Sequence, residues 1–158
     1  QTCALPISTK KAFTMIELVF VIVILGVLAA VAIPKLSATR TDAQASSTAS
    51  SIMTGATEIV SYAIAKGETV SDLSIMSNSI AALVSTSFAT LSLPNKSAII
   101  KAGVIVDCVT LKIDSNATDD TVIIEFGSAD SDVECSIIQS LIDADEYPMK
   151  LRGSSVVY

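Results

Sequence analysis

The stretch from Phe13 to Pro34, FTMIELVFVIVILGVLAAVAIP, limits what the rest of the chain can be. Nearly every residue in it is apolar or small, and the only charge is Glu17. At about 1.5 Å per residue, some twenty residues of helix span roughly 30 Å, the thickness of a hydrocarbon core. The pattern therefore predicts one helix able to cross a bilayer once. Lys10 and Lys11 stand immediately before it. A carboxylate inside such a span is costly and by default marks a function. The bland alternative is that Glu17 lies near the end of the span and reaches the headgroups.

KKAFTMIEL followed by a long apolar helix resembles the processing site and N-terminal helix of type IV pilins and type II secretion pseudopilins. The resemblance is close over Lys10 to Lys35 and weak beyond. In that family a basic leader is cut just before a Phe, the new amine is N-methylated, and a Glu follows at the fifth position. The resemblance thus implies cleavage between Ala12 and Phe13, methylation of Phe13, and an assembly role for Glu17 paired with the Phe13 amine of a neighbouring subunit. Gly26 and Pro34 fall where the family often has a Gly and a helix-kinking Pro. The residue before the cut is usually Gly, and here it is Ala12; its small size implies slower cleavage at worst.

Net charge is −6, and there is no His and no Trp. The commonest general base and metal ligand is thereby missing. Eleven acids lie between Asp107 and Glu146 against one base, Lys112. An acidic half of this kind repels phosphates, so no nucleic-acid binding is expected from it. No nucleophile has a matched base and no Gly-rich loop could cradle a phosphate, so the chain is not read as an enzyme and no catalytic residue is assigned.

Gln1 to Ser8, QTCALPIS, does not look like a pilin leader and is read as foreign or artefactual sequence; Thr9 to Ala12 would be the end of the leader proper. Beyond Pro34, Ala45, Ala49, Ile52, Ala56, Ile59 and Ala63 form one apolar stripe, so the helix should continue to about Lys66 and stop at Gly67. A bend or loosening is expected near Ala30 to Pro34. A second helix is expected over Ser71 to Leu91 from Leu73, Met76, Ile80, Leu83, Val84 and Phe88, ended by Leu93-Pro94-Asn95. Val104 to Ile113 and Thr121 to Phe126 read as strands joined by a turn that opens at Asp114-Ser115-Asn116. Cys135 to Ile142 reads as a short helix capped by Ser131 or Asp132. Val156 to Tyr158 reads as a terminal strand.

Three cysteines are present, Cys3, Cys108 and Cys135. Loss of a leader would remove Cys3 and leave an even count in an exported protein. Type IV pilins carry a C-terminal disulfide that bounds a surface region, and the resemblance implies one between Cys108 and Cys135; two buried thiols are the alternative. Asp114, Asn116, Asp120 and Glu125 loosely imitate a calcium loop, but Asp119 stands where the loop's Gly belongs, so calcium is a weak expectation beside a solvated turn. No other cofactor is expected.

The resulting expectation is an α+β, pilin-like subunit, with one long N-terminal helix packed on a small antiparallel sheet. Residues 1–12 are the leader remnant, 13–34 the transmembrane and assembly half of the helix, and 35–158 a periplasmic head. The partners implied are prepilin peptidase, an inner-membrane assembly platform, inner-membrane lipid and other pilin-like subunits in a filament. Secretion pseudopilus, type IV pilus and DNA-uptake filament all fit. Two rivals stay open. One is a conventionally secreted binding protein cut after Ala32, since Ala30-Val31-Ala32 resembles a signal-peptidase site. The other is a permanently anchored single-pass protein.

Overall fold

A computed structural model describes residues 13–116 and 119–152. They fall into two units that divide between Thr39 and Arg40. One helix, α1 (Met15–Lys66), supplies residues to both. In the first unit every described side chain is exposed, and the helix continues through Pro34 without interruption. The loosening expected near Ala30 to Pro34 does not interrupt α1, although Pro34 has no N–H to donate to the Ala30 carbonyl. The expected terminal strand, Val156 to Tyr158, lies outside the described residues.

The second unit is an α+β head. Here α1 buries Ala45, Ala49, Ile52, Ala56, Ile59 and Ala63, the stripe read from the sequence, together with Thr48 and Gly55. Gly67, at φ 70°, ends the helix and donates its N–H to the Ala63 carbonyl at 2.8 Å. Positive φ is nearly free for Gly and strained for most other residues, which makes it the natural stop.

The single helix expected over Ser71 to Leu91 is instead three elements: α2 (Leu73–Met76), α3 (Asn78–Ser85) and strand β1 (Ala89–Ser92). Ser77 makes the first break. Its backbone is extended, its N–H closes α2 on the Leu73 carbonyl, and its Oγ accepts from Ile80 N at the start of α3. A small hydroxyl residue at this junction caps better than it propagates a helix. Glu58 of α1 fixes the junction by accepting from Ser77 Oγ at 2.6 Å and Ser79 N at 2.9 Å. These bonds, the Ser77 hydroxyl first, hold its carboxyl below the usual glutamate range. The second break is at Ser87, which turns the chain with φ 64°. Phe88 thus packs against the core from the turn after α3, although its spacing from Val84 imitates a helix.

Leu93-Pro94-Asn95 is a 3-10 turn that joins β1 to β2 (Ser97–Ala102), a strand the sequence reading missed. β3 (Ile105–Ser115), β4 (Asp120–Phe126) and β5 (Met149–Arg152) complete an antiparallel sheet in the order β1-β2-β3-β4-β5. Within it Leu111 pairs with Ile124 and Ile113 with Val122, and these alternate positions face the core. Thr110, Lys112 and Glu125 lie on the other face, where Lys112 and Glu125 form an ion pair. A last helix, α4 (Val133–Leu141), is capped by Asp132, whose Oδ1 accepts from Cys135 N at 2.9 Å.

Cys108 of β3 and Cys135 of α4 are joined by a disulfide, with Cα atoms 5.6 Å apart. Both residues are fully buried. Beside them, Gln139 Nε2 donates to the carbonyls of Cys108 and Gly127, each at 2.9 Å. Helix and sheet are therefore tied covalently and by a side-chain bridge one turn further on.

Candidate processing and assembly site

Phe13 and Thr14 precede α1, and Glu17 lies in its first turn. A helix start leaves backbone N–H groups without partners, and in lipid no water can supply them. Thr14 and Glu17 answer this together. Thr14 Oγ1 accepts from Glu17 N at 3.3 Å, while Glu17 Oε2 accepts from Thr14 N and from Thr14 Oγ1, both at 2.8 Å. This is a reciprocal capping box, T-x-x-E. The sequence reading passed over Thr14, although the signal was available in the spacing of Thr14 and Glu17. Both carboxylate bonds land on Oε2.

Phe13 itself is 88% exposed. Lys10, Lys11 and Ala12, the other residues expected at a processing site, lie outside the described part of the chain. From Leu18 to Ile33 the helix is apolar around its whole circumference and exposed throughout. Its most apolar window has a mean hydropathy of 3.0 with none of it buried. By length and composition, α1 alone among the described helices could cross a membrane. Gly26 has no neighbouring group within 4 Å of where a Cβ would stand.

A comparison with protein families matches residues 7–33 to the prokaryotic N-terminal methylation motif. The chain carries the prepilin-type methylation motif. That motif is the hallmark of type IV pilins and pseudopilins, and with the apolar helix it fits a single-pass, membrane-anchored protein. No curated protein and no solved structure matches the chain.

The other residues singled out from the sequence lie in the head, away from the methylation motif in sequence. Cys108 and Cys135 are bonded, as the resemblance implied. The four calcium candidates are not gathered into one cluster. Asp114 and Asp120 lie at the turn end of the β3–β4 ladder, close to Asn116, whose N–H donates to the Asp119 carbonyl at 2.8 Å. Asp120 is buried and its Oδ2 accepts from Thr69 Oγ1 at 3.3 Å. Glu125 sits further along β4, opposite Thr110, and is engaged by Lys112. Among the described residues no group of three or more His, Cys, Asp or Glu side chains is placed to hold a metal ion.

Proposed function

We infer that this chain is the structural subunit of a filament of the type II secretion pseudopilus or type IV pilus kind. A prepilin peptidase cuts between Ala12 and Phe13, Phe13 is N-methylated, and the subunit waits in the inner membrane with its head on the periplasmic side. An assembly platform then adds it to a fibre whose core is a bundle of N-terminal helices. The observation that carries this reading is the methylation motif at residues 7–33. The apolar half of α1 supports it: a helix apolar on every side is satisfied by lipid before assembly and by neighbouring helices after it.

Glu17 is the residue on which assembly turns. Its carboxylate caps its own helix through Oε2. It is also the only charge between Phe13 and Pro34, so it is the natural partner for the Phe13 amine of an incoming subunit. Glu17→Leu makes the span more apolar, which favours insertion. It should nevertheless lower fibre yield at least about tenfold, since a buried charge left without its partner opposes each addition. The measurement is sheared fibre per cell, with the membrane pool and leader cleavage quantified alongside. Normal fibres at an unchanged subunit level would reject the assembly role.

A further inference from the structure

Two surface features of the head are complementary in shape and charge. The first is a groove of about 530 Å³ between α1 and α3. Arg40, Gln44 and Ser47, spaced along one face of α1, line one side, and Leu83, Thr86 and Phe88 line the other. Exposed Ala82 and half-buried Phe88 make part of this lining apolar, with Leu83 buried behind them. Arg40 is the only charged residue in the lining, is exposed, and makes no ion pair among the described residues.

The second feature is the hairpin tip between β2 and β3. Val104 and Val106 are 86% and 70% exposed there, beside the exposed carboxylates of Asp107 and Asp130. The tip is held in place. Asp132 Oδ2 accepts from Val104 N at 3.2 Å while its Oδ1 caps α4 at Cys135, which is bonded to Cys108 at the root of the same hairpin. A fixed apolar projection loses little freedom on docking. Asp107, Asp130, Asp132 and Glu134 make its surroundings mainly acidic, against Lys101 of β2.

Resting on the filament reading, we propose that the hairpin tip of one copy docks into the α1–α3 groove of the next. Val104 and Val106 meet Ala82 and the exposed part of Phe88, and the tip carboxylates face Arg40. A chain of net charge −6 repels its copies in most registers. A contact that brings its acid-edged projection to an otherwise unpaired arginine selects one register. Knob and socket lie on different elements of the same head. One copy can therefore offer its knob to one neighbour and its socket to another, and repeated head-to-tail in a filament whose rotation does not close, this contact gives an open array.

The test uses full-length chains in a fibre-forming cell and scores sheared fibres. Val104→Cys and Ser47→Cys are placed in one chain and treated with a short bis-maleimide, which leaves the Cys108–Cys135 bond untouched. A ladder of linked multimers is expected, with monomer only from each single variant. Arg40→Glu should reduce the ladder at least about tenfold, and Arg40→Glu with Asp130→Arg should restore it, as expected for a charge pair that sets register. Abundant fibres without a ladder overturn the contact and leave the filament reading intact. Tip-to-tip dimers from Val104→Cys alone, or its linkage to a different protein, overturn the contact as well. Absence of fibres from the unaltered chain overturns both.

Discussion

Within α1, residues 15–39 and residues 40–66 have the same helical backbone and opposite surfaces. The first part exposes every described side chain, and from Leu18 to Ile33 it is apolar all round. The second part buries one stripe, Ala45 to Ala63, and presents Ser, Thr and charged residues elsewhere. Even the glycines differ. A Cβ on Gly26 would meet nothing, whereas a Cβ on Gly55 would stand 2.8 Å from Ile80 Cδ1, so α1 and α3 approach closely there only because Gly55 has no side chain. The apolar half is specified by composition and needs an environment; the striped half is specified by period and needs one particular partner.

The contrast is tested hardest by paired truncations. Ile52 is fully buried in the head, so Ile52→Ala should destabilise it by about 2–5 kcal/mol, the usual range for such a core deletion. Leu25→Ala, in the exposed apolar half, should leave the unfolding of the head unchanged. Both are read by denaturant titration of detergent-extracted protein, monitored by far-UV circular dichroism or by proteolysis. Equal losses from the two variants would abolish the distinction.

A comparable effect is expected from the covalent tie, which belongs to the head alone. Cys108 and Cys135 are 27 positions apart, and closing a loop of that size restricts the unfolded chain by about 3–4 kcal/mol in the chain-entropy model. Cys108→Ser with Cys135→Ser should lower head stability by about that amount while membrane insertion is unaffected. Non-reducing peptide mapping of native material gives the companion check. Recovery of both thiols alkylated would contradict the bond.

The smallest effect separates the halves by pH. Hydrogen bonds from Ser77 and Ser79 hold the Glu58 carboxyl below its unfolded value. A depressed carboxyl contributes stability that is present above its unfolded pKa and is lost as pH falls through the folded one. Bonds to a charged acceptor are worth about 1.5–3 kcal/mol, and partial exposure of Glu58 reduces this to about 1 kcal/mol. Unfolding midpoints should therefore fall below the ordinary glutamate range, and Glu58→Gln should flatten that part of the curve. An identical acid limb in both proteins would remove Glu58 from the account.

Much of this arrangement was legible from residues. The span, the stripe on α1, the stop at Gly67 and strands β3 and β4 follow from period and composition. What escaped was decided by single polar side chains. Ser77 and Ser87 cut an apolar spacing that reads as one helix, and the capping box at Thr14 hid inside a motif that directs attention to Glu17. β2 was missed because SAIIKA is short and lies directly after a Pro-Asn turn, so nothing in its own pattern distinguishes it from the end of a loop. At the methylation motif, residue identity named the place, and the capping role of Glu17 was already legible in the Thr14-x-x-Glu17 spacing.

The meander order of the sheet has a consequence for timing. Each strand pairs with the strand next to it in the chain, so no early strand waits for a distant one. Topologies of this kind close short loops first and fold quickly for their size. On the filament reading, a head exported behind its anchor completes β1 to β4 in order of emergence. The Cys108–Cys135 bond then forms on strands already in register, so oxidation follows the β1–β4 meander and does not guide it.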